Sequence, residues 1–416
     1  MKAVDSEHKK NLPNDEWRIQ QLLRSETNPL SYFNNFSTGK LETLNKPEIR
    51  DKLLDFYKKH YSSHLMGLAI VSNLSIEELE EQTKIFETVP LNDSSSLPNF
   101  MENRPYNKDN LNILYKIVPI KNTDKLWFKW YLEDVDGSNY KSEPLKYVSS
   151  VLGHEGPNSL LSSLMKDDLA SSLSTGYDIY AKSYGIFTMK ITLTKKGLSQ
   201  IEEVTKRVIY KIKQLQNEKI SERYFEEVQT MSQARFDYKE KQQPAGYVRM
   251  LASRFFNYEP EDILTGTELY DKFDEKLIKK SFQDLNLNNL NMYIISQEYK
   301  DECILKEVHY ETKFVKDQLP NYVNKYYSEE YNDTQAKFYN FDYPPINNYI
   351  PTNFNILSRS EDKSKENNNE NKYPTAIFKN ESNVIWHKLD ETFKLPYAIV
   401  GVQIYFNLLE LFPYCK

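Results

Sequence analysis

Four polar residues near the N-terminus share the spacing of one helix face. They occupy positions i, i+4, i+7 and i+11, and they are Glu7, Asn11, Asn14 and Arg18. Side chains at this spacing align along an α-helix. A carboxylate, two amides and a guanidinium on one stripe could form a polar site. Polar helix faces are more often simply solvated, and the spacing alone favours that interpretation.

A second polar stretch has side chains suited to binding an amine. Gly153, His154, Glu155 and Gly156 precede Pro157. Glycine and proline around a His-Glu pair can form an ordinary turn into a helix. Alternatively, Glu155 beside glycine backbone could hold an ammonium group through charge-assisted hydrogen bonds. The residues alone leave both interpretations open.

The six histidines do not form a zinc-hydrolase motif. Neither H-x-x-E-H nor H-E-x-x-H occurs, whereas zinc-dependent peptide hydrolysis needs three protein ligands, an open water position and a carboxylate base. His60 and His64 have the i, i+4 spacing of a chelating pair, but no glutamate lies between them and the helix is expected to end near Tyr61. We therefore interpret both histidines as solvated. G-x-S-x-G, P-loop and Cys/His patterns are also missing.

Hydrophobic periodicity predicts an α+β fold built from successive sheet-plus-helices units. Strand, helix and strand follow one another in two blocks. Ser75 and Glu78 form a capping box before a helix. Predicted strands are Leu65–Ser72, Leu111–Ile120, Lys125–Glu133, Tyr184–Thr194 and Leu290–Ser296, and predicted helices include Glu48–Tyr61, Leu145–Met165, Lys195–Gln216 and Ser221–Asp237.

The composition changes after about Tyr322, where tyrosine and asparagine become frequent. Ser358–Asn371 is of low complexity and predicts a loop. Three short apolar segments follow and predict the first strands of a third unit, namely Ala376–Lys379, Asn383–Leu389 and Ala398–Phe406.

Bulk composition excludes several classes of function. The chain has 416 residues, 39% hydrophobic and 27% charged, with a net charge of −6 and no basic stripe, so we expect no nucleic-acid partner. No apolar run approaches the ~20 residues that span a membrane, and the first residues lack the apolar core of a signal peptide. Cys303 and Cys415 are far apart and predict neither a disulfide framework nor a zinc ribbon. A cytoplasmic, reducing location is the expectation.

The opening segment resembles a metallopeptidase family. Residues 5–18, D-S-E-H-x-K-N-x-x-N-D-x-W-R, are similar to the helix that carries the third zinc ligand in the insulysin (insulin-degrading) branch of the pitrilysin-type zinc metallopeptidases, the inverzincins. The resemblance runs nearly end to end, because further family motifs follow in order. They are Asn28-Pro29, Phe36–Gly39, Tyr61–Met66, Leu114–Ile120, Pro244–Tyr247, Pro260–Leu264, Ile350–Phe354 and Phe393–Pro396.

The resemblance implies a zinc metalloendopeptidase by descent, with Glu7 as one zinc ligand. In the family the other two ligands and the catalytic glutamate come from an H-x-x-E-H motif upstream of this helix, and this sequence does not contain that motif. We therefore expect the chain to bind zinc weakly and to be catalytically inactive by itself.

The same resemblance implies a peptide-binding exosite. The stretch from Gly153 to Leu161 is nearly identical to the family's G-H-E-G-P-x-S-L-L, which helps to anchor a substrate's N-terminus while the peptide pairs with an exposed strand edge. The matching strand comprises Leu173, Ser174, Thr175, Gly176 and Tyr177. Thr175 replaces a usual glycine and Tyr177 a common glutamine, so the fine specificity is expected to differ. Short peptides are the expected partners.

Laid against the family plan, the chain covers a middle portion. Residues 1–100 match the C-terminal part of the first, zinc-ligand-bearing domain, and 104–320 a complete second domain with the exosite-like edge. Residues 321–375 are a linker with a low-complexity loop, and 376–416 a truncated start of the third domain.

Pro13 departs from the family helix that should present Glu7. Proline inside a helix typically costs ~3 kcal/mol and forces a break or kink. Either the helix begins near Leu12 and leaves Glu7 on a loose lead-in, or Glu7 lies on a short turn before a kink. Both alternatives weaken Glu7 as a pre-organised ligand.

Three functions remain in competition at this point. The first is a catalytically silent descendant of an insulysin-like protease. The second is a non-catalytic peptide-binding or assembly module, which pairs with a complementary chain or forms a homo-oligomer. The third is a fragment of a longer active protease.

Overall fold

The structure is a computed structural model that describes residues 1–92, 102–133, 135, 137–181, 184–356, 373–389 and 393–405. The chain divides into two compact units, which are described separately. The first unit comprises Met1–Gln233 and Gln242–Asn347, and the second comprises Ala234–Lys241 and Asn348–Lys416.

Helices occupy both ends of the first unit and the connections between its strands. Their bounds are α1 Lys2–Asn11, α2 Asp15–Ser25, α3 Leu41–Leu44, α4 Ile49–His60, α5 Ile76–Thr83, α6 Pro144–Leu152, α7 Leu160–Lys166, α8 Lys195–Ser199, α9 Ile201–Asn217, α10 Glu222–Asp237, α11 Pro244–Arg254, α12 Glu275–Gln283, α13 Asn321–Ser328 and α14 Asp333–Phe338. The last residues of α10 belong to the second unit.

Seven strands of the first unit form one mixed sheet in the order β3-β4-β2-β5-β1-β7-β6. β1 and β5 pair in parallel and the other neighbours pair antiparallel. Within the described residues, β3 and β6 are thus the terminal strands. The strands are β1 Ile113–Ile117, β2 Lys125–Glu133, β3 Ala170–Ala181, β4 Tyr184–Leu193, β5 Leu290–Ile295, β6 Leu305–Lys306 and β7 Lys313–Gln318.

The main core lies between one face of this sheet and a layer of helices. Phe128 and Trp130 are fully buried there, and Phe187 of β4 joins them. The helix side is supplied by apolar residues of α6, α7, α9, α12 and α13. Each large apolar side chain buried in this way contributes roughly 1.5–3 kcal/mol. This packing fixes β3 and β4 against the helices.

The opposite face of the sheet is covered in its middle by α2. Ile19, Leu22 and Leu23 pack against the rings of Tyr115 and Tyr293. Toward β3 this covering ends, and small polar residues of β3 are exposed. The sheet therefore has an open shelf beside its terminal strand.

The predicted α+β class is confirmed, and most predicted elements are present. The strands predicted from residue 111 onward in the first unit correspond to β1, β2, β4 and β5, and the Ser75 capping box begins α5. The segment Leu173–Tyr177, which was predicted as a strand edge, lies within β3.

The strand predicted for Leu65–Ser72 is wrong. Ser63–Leu65 form a 3-10 turn, and residues 66–72 belong to no strand. Ile70 and Val71 are exposed rather than buried. An apolar run becomes a strand only where a neighbouring chain segment supplies its hydrogen bonds, and no described residue does so here.

The break at Pro13 corrects the predicted polar stripe. α1 ends at Asn11 and α2 begins at Asp15. Asn14 is the N-cap of α2, and its side chain accepts hydrogen bonds from the backbone of Glu16 and Trp17. Because the helix is interrupted, the four residues no longer share one continuous face. The alternative of a helix that begins near Leu12 is wrong, and Glu7 lies on a helix of its own before the break.

The described part of the second unit contains one two-stranded sheet, β8 Thr375–Lys379 with antiparallel β9 Val384–His387. The rings of Tyr238 and Phe354 stack with centroids 4.7 Å apart. Residues 398–405 form no strand, contrary to the prediction. Phe406 and the predicted loop Ser358–Asn371 lie outside the described residues. No helix in the described ranges has the length and apolar character needed to cross a bilayer.

Candidate functional site

The exosite-like residues lie along the terminal strand β3. Its residues pair with β4 through register partners that include Ser174 with Lys190 and Gly176 with Thr188. Leu173 is buried in the main core, and Ser174 on the opposite face is exposed. Since one side of a terminal strand lacks a strand neighbour, its backbone groups can receive an extended peptide.

The G-H-E-G-P segment lies directly against this strand. α6 begins with Pro144 at its first position and ends at Leu152, with Gly153 as its C-cap. The hydroxyl of Thr175 donates a hydrogen bond of 2.7 Å to the carbonyl oxygen of Ser149 in the last turn of α6. A Cβ at Gly153 would lie 2.5 Å from Thr175 Oγ1 and 2.9 Å from the Ser149 carbonyl oxygen. Glycine is therefore required where the helix end meets β3.

His154 and Glu155 have different environments in the same loop. His154 Nδ1 accepts a hydrogen bond of 3.1 Å from the Gly156 backbone N–H, which closes the turn. Partial burial, with Lys211 nearby, lowers the pKa of His154. The imidazole is thus neutral at pH 7 and acts as an acceptor. Glu155 is exposed, and no described residue pairs with its carboxylate, so it is free to meet a cation.

Tyr177 contacts the carboxylate of Glu143, which was not among the predicted site residues. Its hydroxyl donates a short hydrogen bond to Glu143. Burial raises the pKa of Glu143, and burial also raises the pKa of Tyr177. Glu143 has a φ of +42°, in the left-handed region. In the sequence, Glu143 stands out only because it precedes Pro144, which is typical of a helix boundary. That position does not predict the contact with Tyr177.

Lys211 is linked to this loop through Asp342, and it was also not among the predicted site residues. Its ammonium donates to the Asp342 carbonyl oxygen at 2.8 Å and to Gln214 Oε1 at 3.0 Å. The Asp342 backbone N–H in turn donates to the Asn158 carbonyl oxygen at 3.1 Å. Burial lowers the pKa of Lys211 from 10.5 to about 8. A lysine beside the apolar stripe of α9 gives no sequence sign of such burial.

We expect the stability of the wild-type protein to rise with pH relative to a Lys211→Met variant. Below pH 8 the lysine is charged in both the folded and the unfolded state. Between about pH 8 and 10.5 the unfolded state keeps the proton and the folded state loses it, so unfolding becomes less favourable. The difference in unfolding free energy between the two proteins should change by about 2 kcal/mol from roughly pH 7.5 to 9.5. Urea titrations at both pH values measure it, and a pH-independent difference would contradict it.

Glu7 is not part of a metal-binding cluster in the described residues. It is exposed on α1, and the neighbouring Asp5 forms an ion pair of 2.7 Å with Lys9. Zinc needs three protein ligands, yet no group of three or more His, Cys, Asp or Glu in the described ranges could hold a metal ion. The residues around Glu7 therefore do not fit a zinc ion by themselves.

The remaining polar candidates have structural partners. Arg18 donates a hydrogen bond of 2.7 Å to the Tyr310 carbonyl oxygen. α4 ends at His60, as predicted, and His64 Nδ1 lies 2.7 Å from Ser62 Oγ. The two histidines thus do not share a helix.

The mixed sheet with helices packed on its core face defines an α+β domain. A family model described as "Peptidase M16 inactive domain" matches residues 48–232, and one described as "Middle or third domain of peptidase_M16" matches residues 236–411. The chain belongs to the peptidase M16 family. This confirms the resemblance found in the sequence. The predicted domain boundaries and exosite residues stay predictions.

Relatives with curated names resemble the chain over most of its length. It is 32% identical over 410 residues to "Insulin-degrading enzyme" of Homo sapiens, covering 97% of this chain and 39% of that protein. It is 29% identical over 423 residues to "Nardilysin" of Homo sapiens, covering 99% of this chain and 36% of that protein. The crystal structure of pitrilysin aligns with a TM-score of 0.78 at 23% identity, covering 94% of this chain and 40% of the other. The chain thus spans about two fifths of these proteins.

Proposed function

We propose that the chain binds short, extended peptides along the edge of β3, as the substrate-anchoring part of an insulin-degrading-enzyme-like peptidase. The observation that supports this most is that β3 is the terminal strand of its sheet and lies against the Gly153–Pro157 loop. A peptide strand added at this edge would extend the sheet by backbone hydrogen bonds.

The proposal assigns the exposed Glu155 carboxylate to the peptide's N-terminal ammonium. A peptide that pairs with residues 173–177 would begin near the end of α6, where Thr175 contacts Ser149. A charge-assisted hydrogen bond to an ammonium group contributes roughly 1.5–3 kcal/mol. The N-terminus of the peptide is then the feature that the site recognises.

We propose that the chain descends from a zinc-dependent peptidase but does not cleave peptides by itself. The sequence has no H-x-x-E-H, and the described residues near Glu7 do not supply the missing ligands. Chelator-sensitive cleavage of a quenched peptide by the purified chain would contradict this part of the proposal. We also propose a reducing, cytosolic location, which the buried free thiol of Cys303 supports.

We expect peptides with a free N-terminus to bind about tenfold more tightly than their acetylated forms. The probe is a ten-residue peptide of alternating threonine and valine, titrated calorimetrically. A Glu155→Gln variant should lose the difference because the carboxylate that pairs with the ammonium is gone. Glu226→Gln, at an exposed position on α10, is the matched control. Equal affinity of the free and acetylated peptides for the wild-type protein would count against the exosite.

A second candidate function, assembly with a complementary chain, is favoured by the apolar surface of residues 41–92. Neither α4 nor α5 contains a buried residue. The apolar segment 66–72 has no strand partner in the described part of the chain, so we propose that a strand of another polypeptide pairs with it. Exposed large apolar residues of this surface include Leu53, Leu54, Phe56, Tyr57, Leu68, Ile70, Val71, Ile76, Ile85 and Phe86.

Sedimentation velocity tests the assembly function. A chain with this surface should self-associate or bind a complementary M16 fragment, and a Phe56→Glu variant should reduce the association at least several-fold because a charge enters the apolar contact. Phe338→Glu, at an exposed aromatic residue of α14, is the control. A protein that remains monomeric with and without such a fragment contradicts the assembly function.

A further inference from the structure

The shelf beside the terminal strand carries two lysines among small residues. We define the lysine shelf as Ser174 and Gly176 of β3, Thr188 and Lys190 of β4, and Lys129 of β2. These residues lie on the sheet face opposite the main helix layer, because the register pairs Ser174 with Lys190, Gly176 with Thr188, and Thr188 with Lys129. The shelf is a strip from the β3 edge to the middle of the sheet.

No described residue obstructs the shelf at its edge. A Cβ built on Gly176 meets no atom within 4 Å, and Ser174 is exposed. A side chain that stands on a neighbouring strand can therefore pass over Gly176 toward Thr188 and Lys129. Bulky residues at either β3 position would close this path.

Lys129 stands at the inner end of the path without an acidic partner. Its ammonium lies 3.4 Å from Thr188 Oγ1, and no carboxylate of the described residues comes within ion-pair distance. Burial, and secondly the charge of Lys190, lower the pKa of Lys129 to about 8, against the opposing effect of Asp178 and Glu16. A half-buried cation without a carboxylate in contact gains free energy when one approaches it.

Lys190 adds to the positive potential of the shelf, but its ammonium contacts an aromatic ring. Its ammonium lies 4.7 Å from the centroid of the Trp127 ring, on the side away from β3. Lys129 instead lies beside Thr188, which is closer to the peptide edge. Lys129 is therefore the side chain placed to meet a ligand.

We propose that the lysine shelf selects peptides that carry an acidic side chain opposite Gly176. This inference rests on the proposed pairing of peptides with β3, and it specifies which class of peptide that edge binds. A strand added at the edge lies ~4.8 Å from β3 and ~10 Å from β4. Lys129 belongs to β2, one strand further from the edge, but its side chain reaches back over β4, where its ammonium lies 3.4 Å from Thr188 Oγ1. A glutamate side chain extends over roughly half of the ~10 Å to β4, which brings its carboxylate toward this ammonium. Small residues between them leave the gap open.

The test uses a series of ten-residue peptides with free N-termini. Each is the alternating threonine-valine peptide with one threonine replaced by Glu or by Gln, and affinities are measured by fluorescence anisotropy. For the wild-type protein we expect the Glu peptide to bind about five- to tenfold more tightly than the Gln peptide at one or two positions. Lys129→Met should remove this preference without weakening the Gln peptide.

Three further variants test whether the preference for Glu depends on the positive charge of Lys129 or on a general disturbance of the sheet. Lys129→Arg keeps the cation and should keep the preference, and Lys276→Met, exposed on α12, should leave it unchanged. Gly176→Val fills the path and should reduce the preference for Glu while the edge still binds peptide. Binding without any preference for Glu, or a preference that persists in Lys129→Met, overturns this inference alone. Failure of every peptide to bind overturns the peptide-binding proposal as well.

Discussion

The Gly197→Ala variant should lose about 3 kcal/mol of unfolding free energy, the upper end for an overpacked core site. Gly197 is buried in α8, and an alanine Cβ would lie 2.8 Å from the Leu169 carbonyl carbon and overlap its oxygen. That carbonyl cannot easily retreat, because it accepts a hydrogen bond from the Thr194 N–H at 3.1 Å. Since Leu169 immediately precedes β3, the start of the peptide edge would shift too.

Gly246→Ala is the matched control for this variant. Gly246 is exposed in α11, and a Cβ there meets no atom within 4 Å. Alanine favours the helix over glycine by up to ~1 kcal/mol, so the control should be as stable as wild type or slightly more stable. Urea denaturation at one pH compares both variants. A Gly197→Ala protein that unfolds at the wild-type midpoint would show that β3 is not held against α8.

N-methylation of alternate peptide amides should weaken binding about tenfold at each paired position. A β-strand directs the N–H and C=O groups of alternate residues to opposite edges. Only every second amide of a bound peptide therefore donates to β3, and replacing that N–H with a methyl group removes the bond and adds a clash. The neighbouring amides point away and should tolerate the change.

The unpaired amides are the internal control of this scan. We expect affinities to alternate along the residues that face Leu173–Tyr177, measured by competition against the unmodified peptide. An effect without a two-residue period would mean that peptides bind in another way. Equal tolerance at all positions would contradict β-strand addition.

The sequence predicted the α+β class and the strands of the main sheet because their apolar runs are buried within this chain. Lys125–Glu133 matches β2 at both ends, since alternate residues enter the core. Leu65–Ser72 is a similar apolar run, but no described residue pairs with it to form a β-ladder. Whether a run finds such a partner depends on the tertiary structure and cannot be read from the run itself. The break between α1 and α2 was signalled by Pro13, although the cap at Asn14 was not recognised.

The candidate site was predictable in part. The Gly153–Pro157 loop and the strand Leu173–Tyr177 were recognised through family motifs, and the structure brings them together through Thr175. Glu143, Lys211 and Lys129 were not recognised. Their roles depend on burial and on contacts across long sequence separations, such as the hydrogen bond between Lys211 and residue 342. No local pattern encodes such contacts.

Hydrogen exchange at the amides of Leu173–Tyr177 tests the central claim, that a peptide pairs with the edge of β3. The wild-type protein is measured with and without the free threonine-valine peptide at a saturating concentration. The account predicts that the peptide slows exchange at the outward-facing amides of this segment, with little change on the opposite terminal strand β6. Saturable peptide binding that leaves these amides unchanged would contradict it.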